Sequence, residues 1–238
     1  MKAIILAGGK GTRLAPYTTI LPKPLIPVGH RPIIEIIIRQ LIYFGFKDIT
    51  LAVGYLAEII QAYFQNSSYI STQDIKLNYV REDTPLGTAG SLHMLKGIKE
   101  PFLVMNGDVL TTIDFRKIFD FHTMNDAALT VAAHKRKVQI DLGVIETDSE
   151  GKLMNYLEKP SHEYLVSAGI YIYSPRVLDY IEPKQHLDFP DIVMHLLQEG
   201  EKVLSYPSED FWLDIGKPED YAQATEEFEK SKEQFHCE

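Results

Sequence analysis

The chain has 238 residues, 33 of them acidic and 24 basic, for a formal net charge of −9. With 45% apolar residues it can fill a complete core, which excludes a disordered protein. The acid excess argues against a nucleic-acid partner, which would need a basic face, and no apolar run approaches the roughly 18 residues of a membrane span.

Met1 leads straight into an apolar run ended by glycines rather than a cleavage site, so Lys2–Ala7 reads as a buried strand and not a leader. The stretch LAGGKGTRLAPYTTILPKPL, Leu6 to Leu25, follows. Pro32–Phe44 reads as a helix, with Pro32 in the first turn and Gly45 as the C-terminal cap. Ile49–Val53 is the next strand and Leu56–Phe64 the next helix. Ile75–Val80 reads as a strand, Gly90–Lys96 as helical, and Phe102–Met105 as a short apolar strand. Leu129–Ala133, Gly143–Glu146 and Val166–Tyr173 read as strands, while Asp188–Gln198 and Pro218–Lys230 read as helices. The acidic tail Glu226–Glu238 is expected to be an exposed helix with a frayed end. Asp114, Asp120 and Asp126 are expected to be solvated, and His122, His134 and His195 to be surface or satisfied structural residues. The lone Cys237 cannot form an internal disulfide, so a reducing cytoplasm is the expected setting.

Strands alternating with helices imply an α/β fold, a mainly parallel sheet covered on both faces. No linker splits the chain, so residues 1–238 read as one domain whose second half adds an antiparallel lobe. Ligands of such sheets bind beyond the C-terminal strand ends. Gly8–Leu14 and Asn106–Asp108 both follow strands and are expected on that rim.

The glycine stretch fails two familiar tests. A dinucleotide fingerprint needs a third glycine where Leu14 stands, and its acidic partner is missing because Glu35 falls inside the first helix. A P-loop needs a glycine where Ile4 stands and a Ser or Thr where Gly11 stands. The physical content survives: glycine backbone reaches an anion without a Cβ in the way. Arg13 can grip phosphate in a fork, and Lys23, held between Pro22 and Pro24, acts as a point charge. Taken alone, the cluster also fits a tight turn with solvated charges.

The whole constellation decides between these. GGKGTRL from Gly8, Pro16, PKPL from Pro22, PLGTAGSL from Pro85, NGDV from Asn106, LGVI from Leu142, EKP from Glu158, SAGIYIYSP from Ser167 and FWLDIG from Phe211 together resemble the sugar-1-phosphate nucleotidyltransferases, and look most like mannose-1-phosphate guanylyltransferases. The resemblance implies a Rossmann-like nucleotide-diphospho-sugar transferase fold in which the smaller antiparallel lobe binds sugar. It implies transfer of a nucleoside monophosphate from a nucleoside triphosphate to a sugar 1-phosphate, with pyrophosphate released. Arg13, Lys23 and Asp108 would carry catalysis. Leu6, Ala7, Gly8, Gly9, Gly11, Thr12, Leu86, Gly87 and Thr88 would join Arg13 and Lys23 in binding the nucleotide. Asn106, Gly143, Glu158, Lys159 and Ser167 would face the sugar phosphate. Asp108 and Asp214 would hold Mg²⁺, which takes a few carboxylates together with phosphate oxygens and water. Read singly, either aspartate would be a cap or turn residue.

PLGTAG and the preceding RED stretch lean towards GTP, with mannose 1-phosphate or a similar hexose or heptose 1-phosphate. UTP or dTTP with glucose 1-phosphate is the alternative, and a non-catalytic regulatory paralogue is the reading from another class. Ser167 departs from the asparagine of many guanylyltransferases, and Leu142 from a common tyrosine. No hexapeptide repeat announces a β-helix domain, and the sequence leaves homo-oligomer formation open.

Overall fold

The computed structural model describes every residue except Asp83 and Glu238; the middle of the RED stretch and the last residue of the acidic tail therefore lie outside the described residues. Eleven segments matter as strands: β1 (Lys2–Ala7), β2 (Asp48–Val53), β3 (Lys76–Arg81), β4 (Phe102–Asn106), β5 (Val109–Thr111), β6 (Leu129–Gln139), β7 (Val144–Thr147), β8 (Leu153–Leu157), β9 (Ser161–Tyr173), β10 (Val203–Ser208) and β11 (Trp212–Asp214). The helices are α1 (Ile33–Tyr43), α2 (Ala57–Gln65), α3 (Phe115–Asn125), α4 (Phe189–Gln198) and α5 (Pro218–Lys230).

Seven strands form the main sheet in the order β10-β6-β9-β4-β1-β2-β3. β4, β1, β2 and β3 are mutually parallel and β10 is parallel to β6, while β9 runs against both neighbours. β1 sits in the middle with Ala3, Ile4 and Ile5 fully buried, as a strand covered on both faces should be. α1 buries five isoleucines and Leu41 in the same core, together with Glu35, Arg39 and Gln40, and Gly45 ends that helix in a left-handed conformation (φ +85).

The reversed strand explains where the smaller lobe stands. β9 enters the sheet from the end at which its neighbours leave it. Its first half, Ser161–Val166, therefore pairs with the far half of β6, His134–Gln139, above the C-terminal rim. The β7–β8 hairpin (Ile145 opposite Tyr156) joins these two halves. The sequence reading ended β6 at Ala133 and started β9 at Val166 because residues beyond those points are exposed and mixed in polarity. There, pairing between the two strands sustains the structure, and burial does not.

Other expectations need correcting. Gly90–Lys96 is not one helix: a helical turn at Gly87–Gly90 runs into a 3₁₀ turn at Ser91–Met94. α3 had no counterpart in the sequence reading; Asp114 caps it, accepting the N–H groups of Arg116 and Lys117 at 2.9 and 3.0 Å. Asp120 and Asp126 are solvated as expected, and each also makes a surface pair, with Arg116 and Arg176 respectively. The acidic tail is not a frayed exposed end, because Phe228, Phe235 and Cys237 are buried against the core. No helix among the described residues is long and apolar enough to cross a membrane.

His122, on α3, is a satisfied structural residue. Its ring nitrogens lie 2.9 Å from Thr130 Oγ1 and 3.1 Å from Ser174 Oγ, and burial pushes its pKa from 6.5 down to about 4. The unfolded chain takes up a proton near the higher value and the folded chain only near the lower one. Stability should therefore fall as pH drops from about 6.5 towards 4. Urea midpoints between pH 7 and 4 should show this decline, and His122→Gln should flatten it. Parallel curves for the two proteins would remove His122 from the account.

Candidate active site

β1 and β4 are neighbours in register, Leu6 opposite Asn106, so the turns that follow them open on the same rim. Gly107 N–H donates to the Leu6 carbonyl at 2.9 Å and ties the two turns together. Between them lies a cavity of about 710 Å³, within the usual range for small-molecule sites. Leu6–Gly9 and Asn106–Asp108 form one side, with Lys10 and Lys23, and Glu82, Gly87 and Thr88 form the other. A second cavity, of about 990 Å³, lies at the opposite strand ends beside Met1, Lys2 and Asp48; it is larger, but open parallel sheets place ligands at the other rim.

Gly11 adopts a left-handed conformation (φ +60), and a Cβ there would stand 2.9 Å from the Cβ of Lys23. This close approach brings the glycine turn against the Lys23–Leu25 3₁₀ turn. Lys23 is buried and its ammonium pairs with Asp108 Oδ2. The other oxygen, Asp108 Oδ1, is buried without a partner. Asp214 stands beside it: β11 pairs with β5, Asp214 opposite Val109, and Ile215 N–H donates to the Asp108 carbonyl at 3.0 Å. Burial pushes the Asp214 carboxyl above its ordinary range, and the charge of Asp108 adds to this; Lys23 and Arg13 pull the other way. The Arg13 guanidinium packs on Gly216, 3.3 Å from where a Cβ would be.

Arg13, Lys23, Asp108 and Asp214 thus form one cluster, although the first and last are far apart in sequence. Two carboxylates with an unpartnered buried oxygen are hard donors of the kind Mg²⁺ accepts. The described residues contain no group of three or more His, Cys, Asp or Glu suited to a fuller cage.

The remaining candidates are placed less uniformly. Gly11, Thr12 and Arg13 do not line the cavity; Thr12 and Arg13 are solvent-exposed. Leu86 is buried, whereas its neighbours Pro85, Gly87 and Thr88 line the cavity. Ser167 Oγ donates to Tyr171 Oη at 3.2 Å, and the Asn106 amide packs under Gly169. Glu158 and Lys159 sit exposed after β8, outside the cavity, with Lys159 at φ +43. Gly143 does not leave its backbone open to a sugar: the Tyr156 phenol fills the space, its oxygen 2.0 Å from where a Cβ would be. That hydroxyl also donates to Glu158 at 3.0 Å.

Glu82 was not singled out as a site residue, although the RED stretch that contains it leaned towards GTP. The sheet carries it to the rim. Its Oε1 faces Gly8, and its Oε2 accepts the Leu86 N–H at 3.3 Å. Burial raises its pKa, partly offset by the bond from the Leu86 N–H.

Comparison with known proteins agrees with this layout. Residues 2–231 match the family described as nucleotidyl transferase. The chain is 36% identical to the mannose-1-phosphate guanyltransferase of Candida albicans over 94% of its own length and 64% of that protein's. It is 34% identical to the UTP–glucose-1-phosphate uridylyltransferase of Synechocystis over 94% of its length and 62% of that protein's. A Bacillus anthracis protein crystallised with sucrose, provisionally described as a glucose-1-phosphate thymidylyltransferase, superposes with a TM-score of 0.74 at 25% identity, covering 95% of this chain and 94% of that one. The chain spans less than two thirds of the first two relatives. With the family match running through the main sheet, the rim and the antiparallel lobe alike, this chain belongs to the nucleotidyl transferase family.

Proposed function

We propose that the protein transfers a nucleoside monophosphate from a nucleoside triphosphate to a sugar 1-phosphate, with GTP and mannose 1-phosphate or a similar hexose or heptose 1-phosphate as the best pair. The observation that carries this reading is the cluster itself: Asp108, with an idle buried oxygen, sits beside Asp214, Lys23 and Arg13 at the edge of a glycine-walled cavity. An oxygen of the sugar phosphate bonds to the α-phosphorus, the α–β bridging bond breaks, and pyrophosphate leaves with the electron pair. No covalent bond to the protein is needed, so positioning and electrostatics do the work.

Backbone at Gly8 and Gly9 lets the triphosphate approach closely. Lys23, Arg13 and Lys10 neutralise charge on the departing pyrophosphate. Lys159 binds the sugar phosphate, and Glu158, Asn106 and Ser167 meet sugar hydroxyls. Asp108 and Asp214 would hold Mg²⁺, which would supply further charge neutralisation. One cysteine and phosphorylated substrates suit a cytoplasmic setting.

Glu82 supports a guanine base. Guanine presents two adjacent donors, N1–H and the N2 amine, which one carboxylate accepts together. Uracil and thymine would turn a carbonyl oxygen towards the same carboxylate. The uridylyltransferase name of the Synechocystis relative keeps UTP in the test panel. Pyrophosphate release should be measured for GTP, UTP, dTTP, CTP and ATP, each against several sugar 1-phosphates with Mg²⁺. Silence throughout would favour a regulatory binding protein. Glu82→Gln should lower kcat/KM for GTP by about 10–100-fold, the loss of one to two tenfold steps of hydrogen-bond energy, and UTP should suffer less. An unchanged GTP-to-UTP ratio would dismiss Glu82 as the base reader.

A further inference from the structure

The turn carrying Gly87 and Thr88 is held by the start of α4, from the second half of the chain. Leu187 N–H donates to the Leu86 carbonyl at 2.9 Å, and the N–H groups of Ala89 and Gly90 donate to the Leu187 carbonyl at 3.0 and 2.9 Å. Thr88 N–H donates to Asp188 Oδ1 at 3.1 Å, and Phe189 N–H donates to Thr88 Oγ1 at 2.8 Å. This approach needs a glycine: Gly87 has φ +79, and a Cβ there would lie 2.5 Å from the Leu187 carbonyl oxygen and 2.8 Å from Asp188 Oδ1.

The start of α4 is a fixed reference. The Phe189 ring stacks on Tyr171 with centroids 3.8 Å apart, and Ile192 and Leu196 are fully buried. Asp188 N–H is itself held by Asp191 Oδ2 at 3.1 Å. Backbone bonds through Leu187 already tether the turn at Leu86, Ala89 and Gly90. What they do not fix is Thr88, the residue that lines the cavity.

From this geometry we infer that Asp188 is a positioning residue for the nucleotide subsite: its carboxylate fixes the Thr88 backbone, and so the wall against which the nucleotide rests, without lining the cavity itself. The inference rests on the nucleotide reading of that cavity. The test is steady-state kinetics of Asp188→Ala and Asp188→Asn, with each substrate varied in turn, together with calorimetric binding of the triphosphate the wild type uses best, GTP or UTP.

Asp188→Ala should raise KM for the triphosphate about tenfold, the worth of one charge-assisted hydrogen bond, and leave KM for the sugar 1-phosphate within about twofold. Asp188→Asn keeps an oxygen for the Thr88 N–H and should recover most of the loss. An unchanged triphosphate KM, or equal rises for both substrates, overturns the inference. Should Asp188→Ala fail to fold, Asp188→Asn must still show a smaller rise confined to the triphosphate, and the absence of that rise also overturns it. Wild-type protein that binds no triphosphate overturns the nucleotide reading and this inference with it. Wild-type binding matched by Asp188→Ala overturns the inference alone.

Discussion

Asp214→Asn is expected to lower turnover by about 10²–10³-fold, the usual effect of removing one electrostatic group from a transition-state site, and at the same time to raise the melting temperature. Both outcomes come from the same geometry. Burial and the neighbouring Asp108 charge already disfavour the Asp214 carboxylate in the folded protein, and Lys23 and Arg13 offset this only in part. An amide of the same shape removes that repulsion and also removes the charge that a divalent ion would need. Each kcal/mol is worth about 2–4 °C in a chain of this size.

The sign of the pH dependence follows. A carboxyl raised in the folded state contributes stability that is lost as pH rises through the carboxylate range, and Asp214→Asn should abolish that contribution. Asp108→Asn should lose activity to a similar degree but should also lose stability, because it leaves the buried Lys23 ammonium without its partner. Activity assays and thermal melts on the two variants check this. Wild-type turnover in either variant removes that residue from the mechanism, and melting temperatures that shift together contradict the electrostatic picture.

Arg39→Met is expected to be the most destabilising of the changes considered, by about 3–5 kcal/mol, the usual loss when one partner of a buried ion pair is removed. Arg39 and Glu35 lie one turn apart on α1, both buried, with Arg39 Nη2 2.8 Å from Glu35 Oε1. The guanidinium also lies 3.5 Å above the Tyr69 ring. Tyr63 donates to the other Glu35 oxygen, and its own pKa is pushed up to about 12, first by burial and then by that carboxylate. The variant would leave Glu35 with the Tyr63 hydroxyl and the more distant Arg31, 3.8 Å away. Glu35→Leu combined with Arg39→Met should recover most of the loss, since no stranded charge remains. None of these residues lines the cavity, so turnover below the melting temperature should be unchanged. Urea denaturation of the single and double variants decides this; a double variant no better than Arg39→Met would contradict the stranded-charge account.

Much of the core was legible because its strands are buried on both faces and read as unbroken apolar runs; β1, β2 and β4 lie where they were expected, within a residue. α3 was not legible, because its apolar stripe of Phe115, Ile118 and His122 depends on a histidine that only Thr130 and Ser174 make acceptable in the core. β10 was missed as an edge strand carrying Pro207, which a sheet tolerates at its edge and which obscures the pattern in sequence. The buried tail was misread because Glu226, Glu227, Glu229 and Glu233 mask the widely spaced Phe228, Phe235 and Cys237.

Residue order alone determined the βα rhythm, the glycine turn after the first strand, and the family's ordered motifs, because these depend on local backbone freedom and on burial of contiguous side chains. Only the tertiary structure decided which charges meet. Asp214 meets Asp108 because β5 pairs with β11, Lys23 joins them because its turn packs against Gly11, Glu82 reaches the rim because β3 lies beside β2, and Asp188 meets Thr88 because α4 docks against a turn that Gly87 leaves open. Coulomb energies and hydrogen bonds act over a few ångströms of space, and distance along a chain does not report that separation.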